Sequence, residues 1–185
     1  MFQHLNHEAI RYCHWKSNIR LNKSLEGRTD LDILVHRDDK DKFEEALKRF
    51  DFLLILSPPE KRFPGMEDYL GFDDESGRMI HLHVHYRLIL GQRYIKNHHL
   101  SIEETVLGEL TMKDEVFIPV PELELIMLII RAHMKVDVPS LIKQCIRDLM
   151  CTPYTPFPAH IEEELDDLIS KIDIKRLKDI LAQIN

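Results

Sequence analysis

Residues 27 to 35, GRTDLDILV, place the tightest condition on how this chain folds. Read as a strand, the stretch puts Asp30 and Asp32 on one face and Leu31, Ile33 and Val35 on the other, because strand side chains alternate. The apolar face demands a core. The acidic face puts two like charges one pleat apart, and burying either without compensation costs several kcal/mol on the order expected of an unpaired ion. Water, a basic side chain or a cation must meet that charge.

Other periodicities surround this strand. Residues 3 to 11 read as a short helix, and YCHWKS (12–17) as the end of a strand or of a helix. NIRLNKSLEG reads as a short helix or turn closed by Gly27. After the strand, Phe43, Ala46, Leu47 and Phe50 recur at helical spacing behind a cap at Asp38 or Asp39. FLLILSPP reads as a short apolar strand stopped by two prolines. DYLGFDDESGRMIHLHVHYRL reads as a hairpin turning at DDESG. Ser101 and Glu104 have the spacing of a capping box for a helix over 101–108. EVFIPV then reads as a strand, and PELELIMLIIRAHMK as a buried helix opened by proline. Helices at 139–150, 159–171 and 173–184 complete the chain, and TPYTPFPAH (152–160) is the candidate linker. Strands and helices mix up to about residue 120 and helices dominate afterwards, which predicts an α+β core over 1–120 and a helical subdomain over 121–185.

Charge narrows the function classes. Residues 1 to 100 carry 16 basic and 16 acidic side chains, and residues 101 to 185 carry 9 and 16, so the whole net charge of −7 falls in the second part. That argues against a nonspecific grip on nucleic acid, while a small anion held in a local basic pocket remains compatible. The longest apolar run, LIMLII at 125–130, falls far short of the roughly 20 residues of a membrane span. The opening MFQHLNHEAIRY lacks the order of a signal peptide. Cys13, Cys145 and Cys151 form no CxxC pair, which predicts neither a disulfide framework nor a zinc knuckle and points to the cytoplasm.

Two constellations bear chemistry. Asp30 and Asp32 have the spacing to hold a divalent cation or to bridge two, as in two-metal phosphoryl-transfer sites. A solvated acidic strand edge is the plainer alternative. His81, His83 and His85 in IHLHVHYRL share one strand face, with Leu82, Val84 and Tyr86 on the other. Such a column suits metal ligation or anion binding, and Arg87 falls on the same face. Upstream, Lys16 and Ser17 in WKSN offer a cation and a hydroxyl for a phosphate, and Arg28 adds a second cation. Arg131 and Lys135, four apart at the end of the buried helix, either reach a ligand or favour the negative end of the helix dipole. Of His98 and His99, adjacent in sequence, at most one can join a site on one face. Neither a P-loop, a GxGxxG, a GxSxG nor an HExxH motif occurs.

WKSN, GRTDLDILV and IHLHVHYRL, in this order, resemble the nucleotidyltransferase superfamily with a polymerase β-like catalytic core. The closest likeness is to a poorly characterised bacterial and archaeal branch, over residues 10 to 135. The resemblance implies a mixed sheet with flanking helices, followed by a helical C-terminal part. It implies transfer of a nucleotidyl group from a nucleoside triphosphate to a hydroxyl acceptor, with Mg2+ or Mn2+. Asp30 and Asp32 carry over as metal-binding carboxylates, Ser17 as a phosphate contact. Lys16, Arg28, Arg87 and Lys135 are the accompanying nucleotide-binding candidates. The family's third carboxylate, on a neighbouring strand, has no acidic counterpart in IHLHVHYRL. His83 stands there as base or ligand, with His85 beside it as a further ligand, and a mixed His and Asp shell suits Mn2+ better than Mg2+. The alternative is a degenerate module that binds nucleotide or a partner protein. A histidine-centred metal hydrolase ranks last, since successive same-face histidines stand about 7 Å apart. A downstream or partner domain, as some relatives carry, fits the same resemblance.

Overall fold

The computed structural model describes residues 1–92, 95–134 and 158–184. The predicted helix at 139–150, most of the predicted linker, Cys145 and Cys151 lie outside them. The architecture is mixed α+β. Five strands form one sheet in the order β1-β2-β5-β4-β3, with β1 Tyr12–His14, β2 Leu31–Val35, β3 Leu53–Ile55, β4 Met66–Asp73 and β5 Arg78–His85. Only the central β2–β5 pair is parallel; the others are antiparallel.

Alternation decides what each sheet face meets. Leu31, Ile33 and Val35 of β2 and Leu82 and Val84 of β5 face one core, as expected. Against them pack Leu5 of α1 (Phe2–His7), Leu21 of α2 (Leu21–Leu25), and Phe43, Ala46 and Leu47 of α3 (Lys40–Arg49). Each fully buried leucine there contributes about 1.5–3 kcal/mol. Phe50 is a correction. It follows the last turn of α3 as its C-cap, is exposed, and meets the edge of His4. The α3 cap is also corrected. Asp39 precedes the helix, but its carboxylate receives the backbone N–H and guanidinium of Arg11 rather than a helical N–H.

The opposite sheet face is divided. At its β1 end, Cys13, Trp15 and Leu34 enter a second core with Val106 of α4 (Glu103–Gly108), Leu123 and Met127 of α5 (Pro121–Met134) and Ile180 of α7 (Ile174–Ile184). Helix α6 (Ala159–Ile169) packs Leu168 on Leu125 and Leu128 of α5. The rest of this face carries the acids and histidines. Two antiparallel strand pairs complete the described chain: β6 Ile89–Gln92 with β7 Ile95–His99, and β8 Leu110–Lys113 with β9 Val116–Pro119. The sequence showed β9 but neither β8 nor the β6–β7 pair.

Two turns follow local chemistry closely. After α2, Gly27 takes φ +67°, its N–H reaches the Ser24 carbonyl, and the Arg28 N–H reaches that of Lys23, the paired bonds of a Schellman cap. Between β4 and β5, Asp73 accepts from the Ser76 N–H at 3.0 Å and Gly77 closes the loop at φ +68°. That turn pairs Asp73 with Arg78 and sets the register of the whole hairpin. The capping box at Ser101 does not form. Helix α4 begins at Glu103, and Ser101 bonds His99 instead. Glu103 accepts from the Leu88 N–H and Glu104 bonds His36, so long-range partners take the local cap. Among the described residues, no helix is long and apolar enough to cross a membrane.

Candidate metal and anion site

The parallel pairing of β2 with β5 brings the two constellations together. Register sets Asp32 beside His83 and Leu34 beside His85, while Asp30, just before β2, bonds His81 through its side chain. His83 Nδ1 lies 3.1 Å from Asp32 Oδ1, and His85 Nε2 lies 3.7 Å from the same oxygen, beyond a hydrogen bond. The ligand atoms of Asp32, His83 and His85 all fall within 4.8 Å of one another. The 7 Å stride along the strand is overcome by ring tilt, since the His83 and His85 centroids are only 4.4 Å apart.

Asp32 is nearly buried, and Lys16 Nζ meets its Oδ1. Burial pushes its carboxyl up, but the His83 and His85 imidazoles and the Lys16 ammonium together hold it well below the usual carboxylate range. A basic side chain therefore meets the charge raised by the acidic strand. His85 is the counterpart. Burial drives its pKa down to about 3, so the ring is neutral, and neither nitrogen has a hydrogen-bond partner. A buried neutral imidazole with two orphaned nitrogens is costly to hold and is the form that ligates a metal.

Asp30 goes elsewhere. Its side chain is 60% exposed and accepts from His81 Nδ1 at 2.8 Å. His81 Nε2 in turn bonds Asp68 Oδ1 at 3.0 Å, and His83 Nε2 approaches that same oxygen at 4.0 Å. The hydrogen bonds to Asp30 and Asp68 raise the His81 pKa against the opposing effect of burial. Asp68, from β4, is thus a carboxylate on the strand beside the histidines. Sequence reading passed over it. The signal was present in the turn: once Asp73 pairs with Arg78, counting back five residues sets Asp68 opposite His83.

The cations divide. Besides its bond to Asp32, Lys16 lies 5.2 Å over the Trp15 ring, and Arg131 of α5 lies 5.6 Å from it on the same indole. Trp15, Lys16, His85 and Arg131 line a cavity of about 70 Å³. Trp15 Nε1 and Arg131 Nε are buried without a hydrogen-bond partner. Arg28 instead pairs with Glu26 on the surface at 2.9 Å. Arg87 lies past the end of β5, exposed, with its stem over Gly65. Lys135 lies outside the described residues. His99 bonds Glu103, away from the trio.

Ser17 has an occupant of its own. It sits in the left-handed region at φ +57°, a conformation that costs an L-residue about 1 kcal/mol or more. Its N–H donates to Glu164 Oε1 at 3.1 Å and its Oγ to Oε2 at 3.3 Å. Glu164, from α6, is buried and lies 3.5 Å from Arg131. A protein carboxylate thus holds the position at Ser17 where a phosphate contact is expected from the sequence.

On the other side of the trio, Asp68 and His83 border a cleft of about 490 Å³ between β3, β4 and the loop before β4. His85 thus lines the small cationic cavity and His83 the large cleft, so the trio borders both. Comparison with protein-family models, with curated proteins and with solved structures gives no match to this chain.

Proposed function

We propose that this chain is a metal-dependent nucleotidyltransferase with a polymerase β-like core, moving a nucleotidyl group from a nucleoside triphosphate to a hydroxyl acceptor. The observation that carries the reading is His85: a buried, neutral imidazole with both nitrogens unsatisfied, gathered with Asp32 and His83 into one ligand set. Of the two metals that the resemblance implies, Mn2+ accepts imidazole beside carboxylate more readily than Mg2+, which prefers oxygen ligands, so Mn2+ is the expected metal. When bound, the metal polarises the phosphoryl oxygens and offsets their charge.

The chain's own residues supply the remainder. Lys16 and Arg131, with the Trp15 indole N–H, flank a space sized for one compact anion and neutralise the departing pyrophosphate. Asp68, oriented by His81 and through it by Asp30, takes the proton of the attacking hydroxyl. The acceptor oxygen forms a bond to the α-phosphorus, the bond from that phosphorus to the bridging oxygen breaks, and pyrophosphate carries away the electron pair.

A second reading, a catalytically silent module that binds nucleotide or a partner protein, is favoured by Lys16 on Asp32 and Glu164 on Ser17. Both partners occupy positions a substrate would need. Calorimetry with MnCl2, followed by ATP, separates the readings. The transferase reading expects Mn2+ binding that falls by roughly tenfold or more in Asp32→Asn and in His85→Gln, the loss of one ligand. Circular dichroism reports whether each variant folds. With ATP and candidate acceptors, pyrophosphate must be released. Equal Mn2+ binding by wild type and Asp32→Asn, or none by either, removes the metal reading. Nucleotide binding without pyrophosphate release selects the module.

A further inference from the structure

We infer that the cleft beside Asp68 is the acceptor site, and that its occupant is a small neutral alcohol with an apolar body. The inference rests on the transfer reading above and adds the class of the second substrate.

Volume assigns the two cavities different tasks. The cationic one, about 70 Å³, lies well below the roughly 300 Å³ at which small-molecule pockets begin, so it suits a compact anion. The cleft, about 490 Å³, falls within the range of small-molecule pockets, roughly 300–1,000 Å³.

Charge points the same way. Lys16 and Arg131 belong to the small cavity. Among the described residues, the ionisable groups lining the cleft besides His83 are Arg62, Glu67 and Asp68. Glu67 is already bonded to Lys40 and takes the Tyr69 hydroxyl at 2.7 Å. What remains is one guanidinium, which donates to the Ser57 carbonyl at 2.6 Å, and the Asp68 carboxylate, which already bonds His81. The balance is near neutral, so a polyphosphate or a nucleic-acid backbone gains nothing there, while a neutral compound enters without an electrostatic cost.

The walls define the body of that compound. Ile55 pairs with Asp68 across β3–β4 and shares its face, and Leu56 follows it. Both line the cleft with Pro64, and Leu56 is 72% exposed. Apolar side chains on an edge strand attract aggregation unless something covers them, and here they lead straight to the carboxylate that would receive a hydroxyl proton. An apolar body on Ile55 and Leu56 sets an attached hydroxyl toward Asp68 and His83.

Amide NMR of the full chain tests this, with 2-phenylethanol as a neutral apolar alcohol, myo-inositol as a neutral alcohol without an apolar body, and tripolyphosphate as a polyanion. The expected result is that 2-phenylethanol shifts amides in 54–57 and 62–68 and that myo-inositol does not. Ile55→Ser with Leu56→Ser weakens the effect by roughly tenfold, as expected for two lost apolar contacts. Leu56→Ser alone, at the more exposed position, serves if the double variant does not fold. Tripolyphosphate shifts residues 15–17 and leaves bound 2-phenylethanol in place. The inference is overturned if 2-phenylethanol leaves those amides unmoved, or if tripolyphosphate displaces it. It is also overturned if sedimentation shows a wild-type dimer that the serine variants dissolve, which assigns the apolar strand to a second copy of the chain. A Mn2+ titration of the same sample separates the two levels. Broadening around residues 32, 83 and 85 without alcohol binding overturns the acceptor site alone. Alcohol binding without any Mn2+ effect upholds the cleft and removes the transfer reading.

Discussion

At Asp32 a single oxygen serves Lys16 and His83 directly and faces His85 just beyond bonding range. Such crowding keeps one carboxylate ionised in a nearly buried place. A second buried carboxylate is handled in the opposite way. Glu124 of α5 accepts from Asn18 Nδ2 at 2.7 Å, but burial pushes its pKa up to about 7, and nearby Glu164 adds to the rise against the pull of Asn18, Lys113 and Lys171. Its folded-state value thus lies above that of an unfolded glutamate. The proton on Glu124 stabilises the fold fully below the unfolded value, and that contribution is lost as pH rises through about 7. Glu124→Gln keeps an acceptor for Asn18 and removes the titration. Thermal melts should therefore show a smaller fall in Tm for the variant than for wild type between about pH 5 and pH 8. Parallel profiles would mean that Glu124 ionises without cost. At this scale the histidine column and the Asp pair were legible, because alternation fixes which side chains share a face. Asp68 was legible only through the turn arithmetic, and Glu124 gave no local sign among the apolar residues of its helix.

At the scale of elements, β5 is the pivot of the fold. It pairs with β2 on one side and β4 on the other, and it shows leucine and valine to one face and imidazole to the other. Leu82 is fully buried between Leu31 and Tyr69, its register partners on the flanking strands. Leu82→Ala should cost about 2–5 kcal/mol, read as a lower urea midpoint at unchanged slope. A loss below about 1 kcal/mol would show that the sheet face repacks around the gap. Most elements were legible. The Schellman cap at Gly27 and the Asp73–Gly77 turn depend on contacts within five residues, and α3 and α5 on their own apolar spacing. The capping box at Ser101 failed because Glu103 and Glu104 found distant partners, which a window of four residues does not contain. The β6–β7 pair lacked a strong turn signal.

At the scale of the whole molecule, the C-terminal helices complete the site rather than trailing from it. Helix α6 delivers Glu164 to Ser17, 147 residues away in sequence, and α5 delivers Arg131 to Trp15. An anion reaching the Ser17 N–H must displace that carboxylate. Glu164→Gln keeps an acceptor but removes the repulsion, so tripolyphosphate should bind roughly threefold to tenfold more tightly, a gain on the order of 1 kcal/mol, by calorimetry. Unchanged affinity would mean that anions enter without meeting Glu164. The amino-acid order by itself determined most strands of the main sheet, the main helices and the faces on which acids and imidazoles lie, since these follow from backbone stereochemistry and contacts a few residues long. Only the tertiary structure decided that β2 lies parallel to β5, that Lys16 rather than a distant cation meets Asp32, and that Glu164 bonds Ser17. Those outcomes depend on which distant surfaces bury most apolar area together, and no local run of residues encodes that choice.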